Sequence, residues 1–141
     1  MTGQLQICES HRDLSERLAD HLAEWAGRTG VTVEIWALPE RAVPEHIGRA
    51  VFTCIVEALH NVELHSAADT VSVAVTTGRS HLRFTVSDSG KGFADAAVGR
   101  GISAMRTLMV TAGGSFSING TPGAGTTVSG LVSLPICSMT N

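Results

Sequence analysis

Apolar residues recur along this chain with two different periods, and each change of period marks a change of element. Leu14, Leu18, Leu22 and Trp25 fall at helical spacing with charges between them, which predicts a helix over residues 12–28 with Gly30 as its stop. Val31, Val33 and Ile35 alternate with Thr32 and Glu34, the pattern of a strand. Pro44 suits the first position of a second helix, predicted to run to about Leu64. Ile47, Val51, Ile55, Leu59 and Val62 mark its buried face, widened by Val56. Val71, Val73 and Val75 alternate, as do Leu82, Phe84 and Val86, predicting strands near 70–77 and 81–88 with a turn at Thr77-Gly78-Arg79-Ser80. A glycine-punctuated loop, Asp88 to Gly101, precedes a helix predicted from about Ile102 to Thr111, which ends at Gly113-Gly114. Two last strands, Ser115–Asn119 and Thr126–Leu134, are joined through Thr121-Pro122-Gly123-Ala124-Gly125.

The order is therefore helix, strand, helix, two strands, loop, helix, two strands. Hairpins mixed with helices predict an α/β fold, a two-layer sandwich in which helices cover one face of a mixed sheet. The organisation expected is an N-terminal extension at 1–11, one domain at 12–135 and a frayed tail at 136–141.

Composition narrows the function classes. A chain of 141 residues that is 43% hydrophobic has enough apolar material for one core, and only 16% of it is charged. The formal charge of −3 and the scattered Lys and Arg argue against direct nucleic-acid binding. No apolar run approaches the ~18 residues that span a bilayer, and the N-terminus lacks the pattern of a secretory signal. Cys8, Cys54 and Cys137 are too far apart for a disulfide framework or a zinc site, which makes a cytoplasmic setting the simplest expectation.

Three segments carry candidate chemistry. Glu57 and Asn61 lie four residues apart, one turn along the same helix face, where a carboxylate beside an amide oxygen suits a hard cation. Asp88-Ser89-Gly90-Lys91-Gly92 follows a strand: the strand delivers a carboxylate to the end of the sheet, and Gly90 and Gly92 permit a tight turn and close approach of a ligand. Gly99-Arg100-Gly101 precedes a helix, whose free N–H groups suit phosphate oxygens. A fourth piece, Gly123-Ala124-Gly125-Thr126-Thr127, opens the last strand with two hydroxyls. Taken singly, each also fits an ordinary structural role: an exposed helix stripe, an Asp-Gly turn, a helix cap, surface strand residues.

In this order and on these elements, the four segments resemble the GHKL, or Bergerat-fold, ATPase and kinase superfamily over about residues 12–135. Glu57–Asn61 matches its N box, Asp88–Gly92 its D-x-G-x-G box, Gly99–Gly101 its next glycine box and Gly125-Thr126-Thr127 its G-T-T segment. The short stretch Ala94–Val98 and the phrase Gly101-Ile102-Ser103-Ala104-Met105-Arg106 are most similar to the ATP-binding catalytic domain of short-lid sensor histidine kinases. The resemblance implies ATP and Mg²⁺ as ligands. It implies Asn61 as the Mg²⁺ ligand, Glu57 as a base or water-orienting group, and Asp88 as acceptor of the adenine amino group. Gly90 and Gly92 would line the base pocket, Gly99 and Gly101 would let a lid close over the phosphates, and Thr126 or Thr127 would support Asp88.

Two features depart from that pattern. Leu64 stands where the family often has a basic residue, and His60 is unusual beside Asn61. His60 and His65 are five apart and do not share a helical face, which argues against a metal pair. A phosphoacceptor histidine would be followed directly by an acidic residue, whereas His11 is followed by Arg12. The expected partner is thus another protein segment: a phosphoacceptor domain, a response regulator, or, in the alternative of an anti-sigma-type serine kinase, a sigma or anti-sigma factor.

Overall fold

A computed structural model gives the structure of the protein and describes residues 2–41, 43–66, 68–90, 95–121 and 125–135. Within these, the elements in chain order are α1 (Thr2–Thr29), β1 (Thr32–Ala37), α2 (Glu45–Asn61), a π-helical turn (Val62–Ser66), β2 (Thr70–Thr77), β3 (His81–Asp88), α3 (Asp95–Thr111), β4 (Gly114–Thr121) and β5 (Gly125–Ser133). The strands form one mixed sheet in the order β1-β2-β3-β5-β4, with β1 and β2 parallel and the other neighbours antiparallel.

The predicted alternation decides which face of this sheet is covered. Val71, Val73 and Val75 of β2, Leu82, Phe84 and Val86 of β3, and Val128 and Val132 of β5 are all buried beneath the helices. The helices contribute Leu14, Leu18, Leu22 and Trp25 from α1, Val51, Cys54, Ile55 and Leu59 from α2, and Met105 and Met109 from α3. The opposite face carries short polar side chains such as Ser72, Thr85, Ser87 and Ser129. The result is the expected two-layer α/β sandwich. Gly130 of β5 lies where the Phe84 ring crosses the sheet, and a Cβ there would have no room beside the ring.

Three helix boundaries differ from expectation. α1 begins at Thr2 rather than near residue 12. Its apolar stripe starts only at Leu14, so periodicity is silent about the turns before it. Pro44 caps α2 instead of occupying its first turn: its φ and ψ are −55° and 147°, and its carbonyl accepts the first helical bond, from Gly48 N–H at 2.9 Å. α3 begins at Asp95, well before Ile102, so the second half of the expected loop is helical. Ala96 and Ala97 favour the helix and an acidic residue suits its N-terminus, which offsets part of the cost of about 1 kcal/mol for each glycine in the interior.

The end of α2 is also unusual. The chain stays helical past Asn61, as expected, but winds wider from Val62 to Ser66. Strand β1 forms one edge of the sheet and bulges between Ile35 and Ala37, leaving Trp36 73% exposed. At the far end of the sheet, Arg41 donates to the carbonyls of Gly78, Arg79 and Pro135, and so ties the β2–β3 turn to the end of β5.

Candidate functional site

The topology brings the ends of several elements to one end of the sheet. Asp88, the last residue of β3, pairs with Val71 near the start of β2 and with Thr126 near the start of β5. The C-terminus of α2 leads through the π turn into Thr70, and α3 begins after the turn that follows Asp88. The C-terminus of α1 reaches the same end, because Thr32 of β1 lies opposite Thr70. Asn61, Asp88, Gly90, Thr126 and the first turns of α3 therefore lie toward one end of the sandwich.

Asp88 shares its parity with Leu82, Phe84 and Val86, so it belongs to the helix-covered face, yet at the strand end it is only half-buried. Its Oδ1 accepts the Gly90 N–H at 2.8 Å, closing a turn over Ser89. The Ser89 N–H donates to the Thr70 carbonyl at 3.3 Å, which pins that turn to the start of β2. On the other side, Gly125 adopts φ of +100° and presses against the Asp88 carbonyl, with no space for a side chain between them. The carboxylate is thus oriented by its own turn and backed by the first residue of β5.

The two threonines that follow separate across the sheet. Thr126 pairs with Asp88 and shares the covered face, whereas Thr127 pairs with Ser87 and its hydroxyl bonds the Ser87 hydroxyl at 2.9 Å on the open face. Of the two, only Thr126 stands on the side of Asp88.

On α2, successive residues turn by about 100°. Phe52 faces α1, where the Arg17 guanidinium lies 4.4 Å from its ring centroid and His21 packs edge-on at 5.6 Å. Cys54 faces α3, with its Sγ 3.6 Å from the Met105 carbonyl. Glu57 and Asn61 follow Cys54 by three and seven residues and occupy that same α3-facing side, both half-buried. Burial pushes the Cys54 thiol up to about 12, and the Glu57 carboxylate adds to the rise. Just beyond Asn61, Glu63 pairs with Arg28 of α1 at 2.8 and 3.3 Å. The hydrogen bonds from Arg28 hold Glu63 below the usual carboxylate range, and Trp25 and His60 add to this. The Trp25 Nε1 is buried and forms no hydrogen bond of normal geometry.

Gly99 and Gly101 fall within the first two turns of α3, and Gly92 lies outside the described residues. Sequence reasoning missed the pairing of Arg28 with Glu63 and the backing of Asp88 by Gly125. The first joins residues 35 apart and has no local signal. The second was within reach, since a glycine directly before two strand threonines marks close backbone approach.

The donors suit a nucleotide with a metal on its phosphates. Asn61 and Glu57 offer hard oxygen ligands, and Asp88 offers an acceptor for an amino group. Among the described residues no cluster of three or more His, Cys, Asp or Glu could hold a metal ion by itself. A cation held there would take most of its ligands from a bound anion and water. Among the described residues no helix is long and apolar enough to cross a membrane.

The family model described as histidine kinase-, DNA gyrase B-, and HSP90-like ATPase matches residues 46–136. The sensor histidine kinase LiaS of Bacillus subtilis (strain 168) is 30% identical over 128 residues, covering 89% of this chain and 35% of that protein. The sensor histidine kinase YxjM of the same strain is 25% identical over 116 residues, covering 82% of this chain and 28% of that protein. The chain thus spans about a third of the length of these relatives. Among solved structures, the histidine kinase domain of the blue-light activated histidine kinase of Erythrobacter litoralis EL346 superposes with a TM-score of 0.73 at 21% identity, over 86% of this chain and 61% of that one. The Acinetobacter baumannii histidine kinase AdeS superposes with a TM-score of 0.64 at 12% identity, over 87% of this chain and 64% of that one. At these identities the superpositions speak for the fold alone.

Proposed function

From the premise that this chain belongs to the histidine kinase-, DNA gyrase B- and HSP90-like ATPase family, we propose that it is the ATP-binding catalytic domain of a sensor histidine kinase, binding Mg-ATP at the end of the sheet and presenting the γ-phosphate to a histidine on another segment or chain. The observation that carries this reading is the convergence of Asp88 and Thr126 on the covered face with Asn61 and Glu57 on the adjoining side of α2. An adenine amino group would donate to Asp88, whose orientation is already set by the Gly90 N–H. Thr126, next to Asp88 in the register, would support the base or an ordered water. Gly99 and Gly101 lie in the second turn of α3, past its free N–H groups, and would serve by letting a lid close over the phosphates. Asn61 would hold Mg²⁺, which supplies neutralisation of phosphate charge, and Glu57 would orient the water or the incoming acceptor beside it. Positioning and charge neutralisation would provide most of the rate enhancement, with the acceptor histidine coming from a partner domain.

Titration calorimetry with ATP and GTP, each with and without Mg²⁺, tests this. ATP is expected to bind more tightly than GTP, and Asp88→Asn is expected to weaken ATP by at least about tenfold, since the variant presents a donor where the adenine amino group needs an acceptor. Equal affinity of Asp88→Asn and the unmodified protein would overturn the assignment.

A further inference from the structure

The helix that bears Asn61 does not end plainly. Regular α-helical winding stops at Asn61, where the Val62 N–H is shared between the carbonyls of Ala58 and Leu59, and the next five residues wind as a π turn. Such turns are intrinsically less favourable than α-helix and persist where something holds them, often beside functional residues. Here the turn is held at two points. Val62 is buried in the core, and Glu63 is gripped by both guanidinium nitrogens of Arg28, which is 35 residues away at the C-terminus of α1. Trp25, one turn before Arg28, is itself buried, so the α1 side of this contact is seated on the packed core.

An exposed ion pair of this kind adds little to global stability. Its placement gives it another use. The pair lies two residues beyond Asn61, on the π turn into which the last residue of α2 leads. Leu64, the next residue, is 58% exposed and has no hold on the core, which leaves Glu63 as the outer fastening point of the turn among the described residues.

We propose that Glu63 is a positioning residue: clamped by Arg28 of α1, it fixes the π turn and through it the Asn61 amide that receives the metal. The clamp also makes α1 a mechanical input to the site, since a shift of the C-terminus of α1 along its axis pulls directly on the turn after Asn61. This inference rests on the reading of Asn61 as the Mg²⁺ ligand, and the clamp itself can be judged without any nucleotide.

Two readouts on the folded chain decide it, using Glu63→Gln, Arg28→Met, the exchanged pair Arg28→Glu with Glu63→Arg, and Asn61→Ala as reference. The first is amide hydrogen exchange without nucleotide. Both single variants are expected to speed exchange at residues 61–66 while the middle of α2 stays protected, and the exchanged pair is expected to restore protection. The second is the ratio of ATP affinities with and without Mg²⁺. Glu63→Gln is expected to reduce that ratio by about tenfold, the scale on which outer partners of a metal ligand act, and to leave Mg²⁺-free affinity unchanged. Unchanged exchange at 61–66, or faster exchange spread evenly over α1 and α2, overturns the clamp. A Mg²⁺ ratio that falls in Asn61→Ala but not in Glu63→Gln overturns the positioning role. If the unmodified protein binds no Mg-ATP, the functional reading fails instead, and the exchange pattern alone decides whether the turn is clamped.

Discussion

Gly125 presses its backbone against the carbonyl of Asp88, at a φ of +100° and with no space for a Cβ between the two strands. The contact joins the final glycine segment of the chain to the acidic residue that ends β3, across 37 positions of sequence. Gly125→Ala would have to strain its own backbone, at about 1–3 kcal/mol, and to displace the peptide that carries the Asp88 carboxylate. We expect a lower melting temperature together with at least about tenfold weaker ATP binding, because displacements of under 1 Å matter in an aligned site. Calorimetry and thermal denaturation measure the two effects. Loss of stability with full retention of affinity would mean that Asp88 does not depend on this contact.

The threonines after Gly125 allow a sharper test, since strand alternation sends them to opposite faces. Thr127→Val removes the partner of the Ser87 hydroxyl and is expected to cost about 1 kcal/mol of stability with no effect on ATP affinity. Thr126→Val is expected to do the reverse, weakening ATP by about fivefold with little change in stability. Equal binding losses from the two variants would contradict the assignment of the faces.

Much of this arrangement is legible in the sequence, and the exceptions have physical causes. The alternation of Val71, Val73 and Val75 and of Leu82, Phe84 and Val86 predicts two strands because one face of the sheet is buried. The same alternation delivers Asp88 to a strand end, and the four-residue step from Glu57 to Asn61 places both on one side of α2. Periodicity cannot see the start of α1, whose first turns precede the apolar stripe, nor the start of α3, where Gly99 and Gly101 suppress the helical signal. The π turn is equally hidden, because Val62 fits the α-helical repeat of the residues before it. The choice between Thr126 and Thr127 depends on which residues of β3 stand opposite them, and that register is a property of the assembled sheet. Ile35 fits the alternation of β1 yet is 46% exposed, because β1 is an edge that bulges at the next residue.

The Gly130–Phe84 contact is expected to behave as a packed pair. Gly130→Ala pushes a methyl group into the ring, an overpacking expected to cost about 1–3 kcal/mol. Phe84→Leu alone removes ring volume and is expected to cost about 1–2 kcal/mol. Combined, the smaller side chain makes room for the methyl group, so the double variant should be more stable than the sum of the single losses by at least about 0.5 kcal/mol. Denaturant melts of the four proteins give the coupling, and strict additivity would count against direct contact.

Cys54 predicts how stability responds to alkali. Burial between α2 and α3, with Glu57 nearby, raises its folded pKa from 9.0 to about 12. A group whose pKa is raised on folding leaves its stabilising contribution whole below the unfolded value. Here that contribution is fully present below about pH 9 and is lost progressively as pH rises toward 12, because the unfolded thiol ionises where the folded one cannot. The chain has one lysine, Lys91, and no tyrosine, so few other side chains titrate in that window. Unfolding free energy measured in denaturant at pH 8, 9, 10 and 11 is expected to be flat at first and then to fall in the unmodified protein. Cys54→Ala starts lower, since it leaves a small cavity beside Met105, and should decline less steeply above pH 9. If the two curves run parallel across the whole range, the decline belongs to other groups, and the thiol is not excluded from solvent as its contact with the Met105 carbonyl requires.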